Sequence, residues 1–310
     1  MRKTVLTAMT ALGAGIAVVL STGLSAAQPE AGRWHQVGDD VKSGISGLTV
    51  TSRSGDDLRA LVVRDNKRPG ENRIAEVTHR PGRPAAVEAI TWQDSIEPVD
   101  LEAVDAVPGT SDEFVAVASR GLAYHLKLAD AGEAVKVLDI TPLPSIGTGD
   151  DFESFTLTSR NGKMAAVWAD RGAGADRPAT LYAAPFSVGS YGESTFGSVR
   201  KASLRVPYPT GNVRHASDIE VTKSGRLLVS SASDAGDDGP FDSAVSDAGK
   251  LSVDSAGEVR LSVAETPELL EKFEGYKIEG LHCIPGSDLA ALGTDDENAG
   301  GSLTTRRLCD

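Results

Sequence analysis

Four glutamates stand in matching contexts along the chain. Leu101-Glu102-Ala103-Val104, Phe152-Glu153-Ser154-Phe155, Ile219-Glu220-Val221 and Ile278-Glu279-Gly280-Leu281 each place a carboxylate behind one apolar residue and ahead of others. Ile45-Ser46-Gly47-Leu48 repeats the phrase with serine in the glutamate's place, and Asp100, Asp151 and Asp218 precede three of the copies. If one architectural unit repeats around an axis, Glu102, Glu153, Glu220 and Glu279 converge there. Carboxylates crowded into a low-dielectric site repel one another. A hard cation relieves that repulsion, and calcium (Ca2+) suits it because it accepts roughly six to eight oxygen ligands in loose geometry. Backbone N–H groups and cationic side chains relieve it too, and the glutamates then tie repeats together. Protonation is the third relief, and it opens a route to acid–base chemistry. The sequence leaves metal, structural and catalytic readings open.

A second set of polar residues ends the apolar run that follows each copy: Asp65, Arg120, Asp170, Asp234 and Asp295. With Ser46 they are candidates for a ligand-binding channel mouth, and Asn66, Arg171 and Glu297 lie beside them. Carboxylates mixed with guanidiniums could hold a bridged phosphate or another polar ligand; loop-ordering ion pairs are the plainer reading. Asp234, Asp237, Asp238, Gly239 and Asp242 are spaced somewhat like a calcium loop but lack the terminal glutamate of an EF-hand. A solvated acidic loop accounts for them as well. His215 and His282 flank glutamate phrases and could serve as bases, ligands or structural histidines. No Gly-x-Ser-x-Gly elbow, phosphate-cradling glycine loop or zinc motif is present, so no catalytic residue is assigned.

The elements that would position these side chains are short strands. Runs of four to eight apolar-rich residues alternate with Gly, Pro, Asp, Asn and Ser clusters. Pro267 to Phe273 is the best helical candidate, and it is short. The positions from Ser46 to Glu279 are spaced by 56, 51, 67 and 59 residues, with about four strands to each interval. That period predicts an all-β fold, a β-propeller of five four-stranded blades. Six blades, one of them degenerate and hidden in an insertion, is the alternative count. The fifth repeat is one strand short. Arg33 to Val37 supplies a spare strand that would complete the last blade and close the ring, covering edges an open sheet would expose.

Arg2 and Lys3, an apolar stretch from Ala8 to Leu20 and Ser25-Ala26-Ala27 together read as a secretory signal peptide over 1–27. Cleavage after Ala27 leaves one propeller domain over 28–310. Losing Arg2 and Lys3 takes the formal charge from −13 to −15. An acidic exported chain lacks the basic footprint of a nucleic-acid binder. No later stretch is apolar enough for a membrane span, and the expected form is a secreted monomer. Cys283 and Cys309 are the two cysteines, and in an exported chain they read as a disulfide.

The Asp-apolar-Glu phrases, with second strands ending in an acidic residue, resemble the secreted phytase-like propeller families described as "esterase-like activity of phytase". Ser43-Gly44-Ile45-Ser46-Gly47-Leu48 with Val63-Arg64-Asp65-Asn66-Lys67 is similar to their opening blade. The resemblance implies a polar channel with calcium in it, and phosphoester or ester hydrolysis. The dense aspartate motif of the alkaline phytases is absent. Two functions are therefore expected: a secreted propeller that binds a small-molecule or protein ligand at an acidic channel, or a calcium-dependent hydrolase of phosphate or carboxylate esters.

Overall fold

A computed structural model describes residues 32–94, 96–129 and 132–310, so the expected signal peptide over 1–27 lies outside the described residues. The chain forms a five-bladed β-propeller, and among the described residues its regular elements are all strands but for one 3₁₀ turn at Glu297–Ala299. Blade one is Gly47–Ser54, Asp57–Val63, Ile74–His79 and Ala86–Ala89. Blade two is Leu101–Ala106, Glu113–Ala118, Leu122–Leu128 and Ala134–Pro142, with the short Thr91–Trp92 added in parallel at its outer edge. In blade three, Phe152–Arg160, Lys163–Asp170 and Ala179–Val188 are followed by a split outer strand, Ser194–Phe196 and Arg200–Leu204. Blade four runs Val213–Val221, Arg226–Ser233, Asp242–Val253 and Val259–Glu274. Blade five is Ile278–Cys283, Leu289–Thr294 and Gly301–Arg307, and His35–Gly38 from the other end of the chain pairs antiparallel with its third strand.

The ring is held by what lies between the blades. Successive side chains of a strand point to opposite faces, so each blade buries apolar residues against both neighbours. In the second strand of blade one, Leu61 and Val63 join the core shared with blade two, whereas Val62 joins the core shared with blade five. Five such clusters fill the five interfaces. Gly47 marks a close backbone approach between blades one and two. A Cβ there would sit 2.7 Å from the Ala103 Cα and the Glu102 carbonyl oxygen. Cys283 and Cys309 form the expected disulfide, with Cα atoms 5.8 Å apart.

One expectation about blade four is corrected. The anticipated helix over Pro267–Phe273 is part of the 16-residue outer strand. The polar stretch before Lys250 is its partner strand, so Leu269 pairs with Ser246 and Phe273 with Ser243. A ladder along a long neighbouring strand outweighs the weak helical preference of so short a segment.

Candidate functional site at the channel mouth

Strand irregularities aim the glutamates. In blades two, three and five, the pairing of the first strand with the second slips by one residue at Glu102, Glu153 and Glu279. Such a bulge leaves one residue outside the ladder and re-aims its side chain. All three carboxylates are buried at the axis, and one oxygen from each lies within 4.8 Å of the others. Ser46 completes the arc in blade one, where its hydroxyl oxygen accepts from the Asp65 N–H at 3.1 Å.

Blade four departs from the anticipated ring. Val213 pairs with Ser233 as Ile278 pairs with Thr294 in blade five, so Arg214 takes the place of Glu279. Glu220 lies six residues farther along the strand, and the structure does not bring it to the other three. Arg214 instead donates to Glu279 at 3.0 Å and lies 3.7 Å from Glu153 and 3.2 Å from Asp234. Arg171 adds contacts of 3.1 Å to Glu153 and 3.0 Å to Asp151. Lys277, only 2% exposed at its side chain, contacts Glu279 at 3.0 Å and also binds Glu297. Burial opposes its charge, but Glu279, Asp295 and Glu297 outweigh that and hold its pKa above the usual lysine value.

Glu102 is the exception. Lys67 reaches Asp100 at 2.9 Å, and Asp100 also accepts from Ser119 at 2.5 Å and from the Glu102 carboxyl. Burial pushes Glu102 well above the usual carboxylate range, and the Glu153 and Glu279 charges push the same way. Burial also raises Glu153, to about 7, with Arg214 and Arg171 pulling against it. Among the described residues, cations thus contact Glu153 and Glu279 of the three-glutamate group directly, while burial and its like-charged neighbours favour the protonated form of Glu102.

The other anticipated residues scatter. Asp65 faces the mouth, where burial and then Glu279 raise its pKa; Lys67 lies 3.7 Å away. Asp295 is buried there too, raised well above normal by burial and Glu279. Asp234 is half-exposed at the rim; burial would raise its pKa, but Arg214 holds it low. Asp170 turns away to Arg177 and the Gly172 N–H. Arg120 is exposed on the turn after its strand.

Below the mouth a second polar layer closes the channel. Asp105 accepts from Thr49 of blade one at 3.0 Å, and from Thr156 and the Leu157 N–H of blade three at 3.0 and 2.7 Å. His282 of blade five lies 3.4 Å from the same carboxylate. Burial lowers the His282 pKa, but Glu220 and Asp105 outweigh it and bring it up to about 9. His215 is a structural histidine: one ring nitrogen accepts from the Val206 N–H and the other donates to the Gly174 carbonyl.

No protein-family model matches the chain, and no curated protein matches it. Solved structures do. A protein named as an exo-beta-1,3-galactanase from Bifidobacterium bifidum s17 aligns over 90% of this chain and 94% of its own, with 12% identity and a TM-score of 0.50. The GH43 endo-arabinanase from Bacillus licheniformis covers 88% and 96%, with 13% identity and a TM-score of 0.49. The Myxococcus xanthus glutaminyl cyclase covers 89% and 94%, with 13% identity and a TM-score of 0.42. At these identities the likeness is one of fold: a propeller whose structural neighbours are enzymes.

Proposed function

We propose that the protein is a secreted propeller whose channel mouth holds a hard cation, calcium, and receives a polar ligand over it. The observation that carries this is the crowding of three buried carboxyls, Glu102, Glu153 and Glu279, one oxygen of each within 4.8 Å of the others, with Glu102 pushed well above the usual carboxylate range. The donor set is all oxygen, which suits Ca2+ or Mg2+; the irregular spacing of three glutamates from different blades favours the more tolerant Ca2+. Glu102, Glu153 and Glu279 would be the ligands. Bound there, the ion would neutralise the ring and offer a Lewis-acidic face to a ligand oxygen. Lys67, Arg171, Arg214 and Lys277 stand around the carboxylates and could clamp an anionic group.

A hydrolytic reading rests on a second observation. Burial and the like charges of Glu153 and Glu279 push Glu102 well above the usual carboxylate range, while Arg214 and Arg171 pull Glu153 back toward its charged form. Neighbouring carboxyls held in different protonation states are the usual outfit of an acid–base pair. Phosphate or carboxylate esters are the substrates that the sequence resemblance would supply. The acidic charge argues against a nucleic-acid partner, and the leader-like sequence over 1–27 and the disulfide support export.

Metal analysis of the purified mature protein, with melting before and after chelation, tests the first reading. About one calcium per chain and a lower melting temperature on chelation are expected. A metal-free protein whose melt ignores both calcium and chelator would overturn it, and ester screens would then address the acid–base pair alone.

A further inference from the structure

The N-terminal strand His35–Gly38 leads into a turn over 39–43 before blade one begins. A cavity of about 470 Å³ opens there, on the mouth side, against the loop over 64–72 of blade one. A volume of this order suits a small organic molecule. Arg64 lines it, half-buried. Its Nη1 donates to the Lys42 carbonyl at 3.1 Å, its Nε meets no acceptor, and among the described residues no carboxylate is paired with it. An arginine keeps its charge in a protein, and a charge drawn out of water without a counter-charge is costly. Burial accordingly lowers the Arg64 pKa, with Asp40 pulling against it. The turn keeps Asp40 from reaching Arg64. Asp40 Oδ1 accepts from the Lys42 N–H at 3.1 Å, and its own N–H and carbonyl are both bound to Ser43. Lys42 thus holds Arg64 by its carbonyl and Asp40 by its N–H, while its ammonium is paired with Glu71 at 3.2 Å. Asp39 lines the same cavity, and among the described residues neither it nor Asp40 is paired with a cation. The wall therefore carries one unpaired guanidinium and two unpaired carboxylates, held apart.

We infer that this cavity binds a zwitterionic amino acid, its carboxylate on the Arg64 guanidinium and its ammonium on Asp39 and Asp40. Charge-assisted hydrogen bonds of this kind are the stronger ones, and guanidinium matches carboxylate in geometry. A simple anion would meet Asp39 and Asp40 as like charges, and a simple cation would meet Arg64 so. Val37 offers apolar surface to the ligand's side chain. Glu102, Glu153 and Glu279 do not line this cavity, so the inference does not rest on the cation site.

Para-bromophenylalanine, its amide and its N-acetyl derivative are suitable probes, titrated calorimetrically into the full mature chain with chelator present. The free amino acid is expected to bind about tenfold more tightly than either derivative, a gap of ~1.4 kcal/mol. Arg64→Gln should abolish the preference over the amide and keep the preference over the N-acetyl derivative. Asn at both 39 and 40 (Asp39→Asn with Asp40→Asn) should do the reverse. Those two aspartates are exposed, so the double variant keeps the test decisive if Arg64→Gln does not fold. The anomalous bromine peak in a soaked crystal should fall in the cavity beside Val37. Equal affinity for all three probes, no binding at millimolar concentration, a preference indifferent to these substitutions, or bromine elsewhere would overturn the inference.

Discussion

Arg214 and Glu102 carry opposite burdens. Arg214 compensates Glu153, Glu279 and Asp234 at once, with its side chain 14% exposed. Removing one partner from a buried ionic group leaves uncompensated charge and costs roughly 3–5 kcal/mol. Arg214→Ala is therefore expected to lose about that much in urea unfolding; a loss under ~1 kcal/mol would show that solvent already screens the ring. Glu102 behaves otherwise. Glutamine is nearly isosteric with the protonated carboxyl, so Glu102→Gln should leave the metal-free protein about as stable as the parent below pH 4.5, the ordinary glutamate value, and increasingly more stable than the parent as pH rises above it. The same change should abolish any gain in melting temperature from calcium. A variant that still gains would place the ion elsewhere.

The inner strands act as spokes, and Asp105 pins four of them, since its partners come from blades one, three and five. Asp105→Ala removes these ties and strands His282 in the buried layer. A loss of about 3 kcal/mol is expected in chemical denaturation, whereas a neutral variant would mean that the interface cores alone set the ring. The spokes also show what could be read in advance. Strand runs, blade count and closure by the N-terminal strand follow from period and apolar alternation, which local sequence carries. The Glu102, Glu153 and Glu279 phrases lead to the axis for the same reason. Blade four misleads because Val213-Arg214 and Ile219-Glu220 both offer an apolar residue before a charge, and only the pairing of Val213 with Ser233 tells them apart. The deeper layer had a signal: Thr49, Asp105, Thr156 and His282 each stand three residues past the phrase position. A regular strand would place them on the opposite face, and a bulge at the phrase reverses that. Bulges are set by tertiary pairing, so the spacing alone does not declare them.

For the whole molecule, the buried acids make stability depend on pH in an unusual direction. Glu153 is raised from 4.5 to about 7 and Glu220 to about 8, both chiefly by burial, and Glu102 is raised as well. Between 4.5 and those values the folded chain keeps protons that the unfolded chain releases, so stability falls as pH rises. His282 acts in the same sense. Raised to about 9 by Glu220 and Asp105 against its burial, it contributes fully below its ordinary 6.5 and loses that contribution as pH climbs through 9. The metal-free protein should therefore melt several degrees lower at pH 8.5 than at pH 5.5. Calcium changes only part of this. An ion at the mouth compensates Glu102 and Glu153 and releases the Glu102 proton, so its affinity should rise with pH. Glu220 and His282, in the lower layer, keep their share of the decline. Melting curves at both pH values, with calcium and with chelator, should show a steep fall without the ion and a shallower one with it. In Glu102→Gln the two curves should coincide. A metal-free melt that stays flat or rises across this range would mean that the buried carboxyls are solvated well enough to ionise freely, and the case for a cation among them would fall with it.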